Sequence, residues 1–315
     1  MKHLRWVGFL IGLGLFFFIL RQSDLSAVWQ QVFSLQWRFG LVFLFYLVIF
    51  GCDTLGWRFT LDRGAHIRVD RLFRTRLAGE AVNYVTPTAW IGGEPVKAYL
   101  LSKRYGIPLR EGMASVVVAK TTFTLSMLLF ILAGLVVTLA TQSVDAILLK
   151  WVWMTLSILS FFLALFVLVQ FLQPFQRGGW LIERIMPARF LQLGKLHEWD
   201  RAITAFYRQS PRALLGSLGF HFLGWVAGVI EVYLIFRFLK IPIDLSTAWS
   251  IEALWVLLKS GAFLIPASLG ASEGFLLLIC VSLGINAVSG LALALIRRAR
   301  ELVWMGLGLM EFSRG

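Results

Sequence analysis

Residues 84–101 read YVTPTAWIGGEPVKAYLL. The surrounding chain is strongly apolar: 58% of its 315 residues are hydrophobic and mean hydropathy is +0.78. Within that setting Pro87, Gly92, Gly93, Glu94 and Pro95 are residues that a plain transmembrane helix avoids. Proline lacks an amide donor and clashes with the preceding turn, and glycine loosens the backbone. The stretch therefore breaks a helix inside an apolar region. Broken backbone at membrane depth is tolerated only where protein buries it or where it lines a watery cavity.

Working outward, several runs reach the length of roughly 18 or more apolar residues needed to cross about 30 Å of hydrocarbon. The short alternating strands of a membrane barrel are not seen. The expected fold class is an all-α polytopic membrane protein. Its spans are read at about 5–21, 39–57, 112–140, 147–172, 213–239 and 286–310. The start, MKHLRWVGFLIGLGLFFFIL, is basic and then apolar, as a signal peptide is, and a cleavage-like Leu25–Ala27 follows. An uncleaved first span is favoured, because the rest of the chain also lives in the membrane.

The formal net charge is +13. In a chain this apolar the excess fits loops facing anionic headgroups, not a nucleic-acid partner. Twenty Lys and Arg fall at the N-terminus, in 57–78, in 97–110, in the long loop 174–212 and at the tail, against five on the opposite side. The positive-inside rule then places both termini in the cytoplasm. Basic segments flank 78–101 on both sides, so that stretch enters and leaves on one face as a re-entrant hairpin. Trp6, Trp37, Trp57, Trp151, Trp153 and Trp249 fall near span ends, as an interfacial belt would. In the long loop, Trp180, Leu181, Ile185, Phe190 and Leu193 suit amphipathic helices lying on the membrane surface.

A second interrupted segment, about 249–284, holds LIPASLGASEGFLLL at 264–278. In both segments a proline precedes a glutamate by seven residues: Pro87 and Glu94, Pro266 and Glu273. Small residues stand before each glutamate: Gly92 and Gly93, then Ala271 and Ser272. The chain divides into halves, 1–146 and 147–315, each with two spans, a hairpin and a third span. Three spans is an odd number, so the halves are inverted. Inverted repeats with broken helices place binding sites near the midplane of many transporters.

Ionisable groups at membrane depth need an account. Lys120 lies about nine residues into the third span, and Arg297 and Arg298 about eleven into the last. At 1.5 Å per residue these positions lie near the midplane. One reading is a central polar cavity in which helix N-termini and cations favour an anion, phosphate above all. The other is a pair of structural ion pairs, Glu94–Lys120 and Glu273–Arg297, that fasten hairpins to spans. The two are compatible. Glu301 sits one turn after Arg297 and would neutralise it. Glu80 and Lys259 share an offset of seven residues before Pro87 and Pro266, which reads as coincidence. His221 reads as structural, and Asp53, Glu231 and Glu252 are further intramembrane carboxylates. Cys52 and Cys280 lie in apolar runs and suggest neither a disulfide framework nor a metal site. P-loop, HExxH, GxSxG and CxxC patterns are missing, so no ATP, cofactor or enzymatic activity is expected.

GEAVNYVTPTAWIGGEPVKAYLLSKRYG (79–106), followed by ASVVVAKTTFTL (114–125), resembles the lysylphosphatidylglycerol synthase transmembrane-region family, whose members are often called flippase-like. PASLGASEGFLLLICVSLG (266–284) and the arginine-bearing last span resemble its second signature, and RRARELVWMGLGLM (297–310) is similar to a hopanoid-associated subgroup. The resemblance implies a bacterial inner-membrane protein with two re-entrant hairpins. In the two-part synthases of that family a soluble domain makes the aminoacyl lipid and the membrane domain is thought to flip it. Synthase activity is not carried over, since the chain read here lacks that soluble domain. Where the family more often has arginine, this chain has Lys120, which keeps the charge but loses the bidentate fork. The expected function is ATP-independent flipping of a lipid with an anionic or modified headgroup. Glu94, Lys120, Glu273, Arg297, Arg298, Gly92, Gly93, Pro87 and Pro266 would form the route. The alternative is a non-transporting accessory that presents lipid to a biosynthetic enzyme, such as a hopanoid-tailoring one.

Overall fold

Interruptions in the apolar pattern become helix ends in the computed structural model, which describes residues 2–61, 67–86, 92–141, 146–171, 205–207, 210–262 and 265–314. The helices are α1 (Lys2–Gln22), α2 (Leu25–Ser34), α3 (Arg38–Arg58), α4 (Val69–Val85), α5 (Glu94–Tyr105), α6 (Leu109–Thr141), α7 (Ala146–Phe171), α8 (Pro211–Phe238), α9 (Leu245–Gly261), α10 (Ala271–Ser282) and α11 (Ala287–Ser313). Among the described residues there is no strand. By length and composition α3, α6 and α8 can each cross a membrane. The spans read near 5–21, 147–172 and 286–310 correspond in position to α1, α7 and α11.

Both broken segments are helix–break–helix units. In the first, α4 ends at Thr86, whose extended backbone (φ −98°, ψ 128°) leaves the helix. Residues 87–91, including Pro87, lie outside the described residues. Pro95 falls in the first turn of α5, where a missing amide costs nothing, so it opens that helix instead of breaking one. In the second, α9 stops at Gly261 and a 3₁₀ turn, Pro266–Ser268, follows. Ala267 (φ 54°) and Ser268 (φ 47°) are held in the left-handed region that disfavours side chains, and Gly270 (φ 75°) enters α10.

Some expectations shift. The first unit begins at Val69, not near 78, because residues 69–78 of the arginine-rich segment are themselves helical. Arg76 and Lys97, counted above as loop charges, are buried. Without them the count given above is eighteen against five. Trp57 is buried, with its indole N–H donating to Ser115 Oγ at 3.3 Å, while Trp37 and Trp153 are exposed as a belt requires. Helix α2 was not foreseen. Asp24 caps it by accepting from the Ala27 amide at 3.1 Å, and Val28 is buried in the core. The long basic loop lies outside the described residues except for 205–207 and 210–212.

Packing relates the two parts of the chain reciprocally. Helix α3 packs on α8, α4 on α11, and α6 on α9. Within each part α5 packs on α4 and α6, and α10 on α9 and α11. The larger core joins α6, α8, α9 and α11 through Phe130, Phe236, Ile251, Leu254 and Leu293. In a bilayer such burial gains van der Waals contact, not water exclusion, so small residues that let helices approach matter more. Gly134 on α6 lies against Ala253 of α9, and Gly308 on α11 lies against Ala81 of α4.

Candidate functional site

The paired helices leave a cavity of about 300 Å³ between them. Its wall takes residues from α3, α4, α5, α6, α8, α9 and α11. Two ion-pair clusters stand on it.

The first cluster runs through five helices. His221 Nδ1 on α8 is 3.1 Å from Asp53 Oδ1 on α3, and Arg76 Nη2 on α4 is 2.9 Å from Asp53 Oδ2. Arg76 also lies 3.8 Å from Glu80, one turn along α4. Lys97 on α5 bridges Glu80 at 2.7 Å and Glu94 at 3.0 Å. Lys120 on α6 completes the line, 3.5 Å from Glu94. Asn83 fastens the hairpin itself. Its Oδ1 accepts from the Gly93 amide at 2.6 Å, and its Nδ2 donates to Glu94 at 3.4 Å. Gly93 is required there, since a Cβ would run into the Gly79 backbone of α4. Gly92 is half-buried beside it.

The second cluster centres on Arg297, which is only 3% exposed. It reaches Glu252 of α9 at 2.6 Å and Glu231 of α8 at 3.1 Å, over the face of Trp255 at 4.6 Å. Arg300 pairs with the same Glu231 and lies over Tyr46 at 4.1 Å. Lys259 meets Glu301 at 3.3 Å.

The expected Glu94–Lys120 pair is present; the expected Glu273–Arg297 pair is not. Glu273 pairs with Arg298 at 2.5 Å instead. Successive residues on a helix point about 100° apart, so Arg297 and Arg298 cannot serve one partner, and sequence alone does not give the phase. Arg298 occupies the place in α11 that Lys120 occupies in α6: each is eleven residues past its helix's first residue, opposite the first-turn glutamate of its own hairpin. Glu273 also accepts from the Gly270 amide at 2.8 Å, closing the start of α10. Arg298 further donates to the Ala267 carbonyl at 3.1 Å, beside Pro266, and to Tyr84 Oη. Glu273 and Arg298 thus brace the second break and do not line the cavity, whereas Glu94, Lys120 and Arg297 do. Glu301 pairs with Arg298 and Lys259, not with Arg297, and Glu80 and Lys259 find separate partners. His221 fills a packing role against Gly56 and edge-on to Phe123, while also facing the cavity.

Sequence reasoning missed Arg76, Lys97, Asn83, Tyr84 and Arg300. Glu80 and Asn83 at i and i+3 were a readable helix-face signal. Arg76 and Lys97 were hidden because the span boundaries placed them outside.

The profile described as "Lysylphosphatidylglycerol synthase TM region" matches residues 5–308. A "UPF0104 membrane protein" of Methanothermobacter thermautotrophicus (strain Delta H) is 26% identical over 272 residues, covering 80% of this chain and 77% of its own. No solved structure matches. With a charged cavity inside an all-α membrane protein, and a family match over almost its whole length, the chain belongs to the lysylphosphatidylglycerol synthase transmembrane-region family.

Proposed function

We propose that the protein is an ATP-independent lipid flippase, and not an enzyme, that carries a phosphate-bearing headgroup, anionic or modified, through the central cavity. Family membership points to lipid handling. The observation that carries the finer reading is the cavity: Arg76, Lys97, Lys120 and Arg297 sit with their carboxylates around one void of about 300 Å³ in an apolar protein. Burying so many ions is costly, and a pathway for a charged group explains keeping them. The two helix–break–helix units would be re-entrant hairpins. The reciprocal packing of α4 with α11 and α6 with α9 supports inverted halves, 1–146 and 147–315. The chain would sit in a bacterial inner membrane with six spans and both termini cytoplasmic.

The test is headgroup movement across proteoliposomes, read by dithionite quenching of a fluorescent phospholipid. Wild type should transfer label between leaflets without ATP. Lys120→Ala and Arg297→Ala should slow transfer about tenfold or more, as removal of a charge-assisted headgroup contact would. Absence of transfer under any pH or ion gradient sinks the flippase reading. A lipid-biosynthetic enzyme co-purifying with a protein that moves no lipid would turn the assignment to an accessory role.

A further inference from the structure

We propose that the cavity is matched to a zwitterionic headgroup, one phosphate with one ammonium, in preference to a net anionic or uncharged one. This narrows the flippase reading above and rests on it.

The ground is the charge balance of the wall. In the first cluster Arg76, Lys97 and Lys120 face Asp53, Glu80 and Glu94. In the second Lys259, Arg297 and Arg300 face Glu231, Glu252 and Glu301. With His221 neutral, each cluster sums to zero. Each cation lies within 4.0 Å of a carboxylate in its own cluster. An anionic headgroup entering this wall meets as many carboxylates as cations, so its desolvation is not repaid by a net opposite charge. A zwitterion enters as an ion pair. Its phosphate can take a guanidinium while its ammonium takes the carboxylate that guanidinium leaves.

A second observation points to the phosphate end. Buried guanidinium nitrogens in both clusters have no hydrogen-bond partner: Arg76 Nε, Arg300 Nε, and Arg297 Nε and Nη1. Arg297 is held by two carboxylates through Nη2 alone. The remaining donors suit a tetrahedral oxyanion, and charge-assisted bonds of this kind are the strong ones. An uncharged sugar headgroup could accept from these donors, but it offers the carboxylates no cation.

The experiment is native mass spectrometry of the full chain, incubated in detergent with equimolar phosphatidylethanolamine, phosphatidylglycerol and diglucosyldiacylglycerol of matched acyl chains. The wild type should retain phosphatidylethanolamine about fivefold over either competitor. Glu80→Gln removes the carboxylate whose side chain is the most open of the six, 35% exposed, and leaves the wall with one net positive charge. It should move the bound ratio about fivefold toward phosphatidylglycerol, the shift expected for one uncompensated charge about 4 Å away and screened by a water-like dielectric. Lys120→Gln, at a position 25% exposed, leaves one net negative charge and should move the ratio the other way. The proposal is overturned if wild type favours phosphatidylglycerol, or if it holds the glycolipid as well as phosphatidylethanolamine. It is also overturned if neither folded variant moves the ratio. Retention of none of the three lipids would instead remove the headgroup cavity itself, and the flippase reading with it.

Discussion

Arg297 and Arg298 are neighbours in sequence with different work. Arg298 ties the second helix break together through Glu273, the Ala267 carbonyl and Tyr84. Arg297 holds two carboxylates at the cavity wall. Removing one member of a buried pair leaves the other charged and alone, at about 3–5 kcal/mol. Arg298→Met should therefore lower the melting temperature in detergent steeply. Glu273→Gln combined with Arg298→Met should cost less than the sum of the two singles. Lys120→Ala, at a half-buried position 3.5 Å from its carboxylate, should cost about 1 kcal/mol or less. A melting temperature for Lys120→Ala as low as that of Arg298→Met would contradict this ranking. Which arginine meets Glu273 depends on helix phase, and the sequence pattern is the same for either.

Among the elements, the first hairpin depends on backbone-to-backbone approach. Gly93, the residue capping α5, stands directly over the Gly79 carbonyl of α4, with Asn83 bonding its amide. Gly93→Ala should push α5 away, breaking the Asn83 bond and the Lys97 bridges together. Protease cleavage near 87–93 should then accelerate by roughly tenfold or more, as opening free energy falls by a kilocalorie or two. Cleavage at the wild-type rate would show that the contact is dispensable. At the start of α9, Asp244 accepts from the Thr247 amide at 2.7 Å. Hydrogen bonds from Thr247, and then from Ser246, hold its carboxyl below the ordinary carboxylate range. A lowered folded value means the cap's contribution is full above the unfolded pKa of about 3.9 and is lost as pH falls through the lower folded value. Thermal melts of wild type against Asp244→Asn should differ in pH dependence only below about pH 4. A difference that persists unchanged from neutral pH downward would count against the cap. Helix breaks were legible because proline and glycine act locally. Helix α2 was not, since its ten residues look like a linker until Val28 finds the core.

Across the whole molecule, α4 meets α11 where Ala81 faces Gly308, and α6 meets α9 where Gly134 faces Ala253. A Cβ at Gly308 would stand 2.6 Å from the Ala81 Cβ, and one at Gly134 closer still to the Ala253 Cβ, so Gly308→Val and Gly134→Val should each force a helix pair apart and lower the melting temperature in detergent. Wild-type melting in both variants would contradict the packing of α4 on α11 and of α6 on α9. Composition, and residues acting on their own backbone, were enough to read the helical membrane class, the family, the two broken segments and the presence of charge at depth. The partners of those charges emerged only from the folded arrangement. Arg76 and Lys97 moved from supposed loops into the cavity wall, Glu273 and Arg298 moved off it, and two clusters with no net charge came together from seven helices. Pairing depends on helix phase and on contacts between distant segments. A buried charge takes its partner from whichever helix the packing brings within about 4 Å, and no local pattern encodes that.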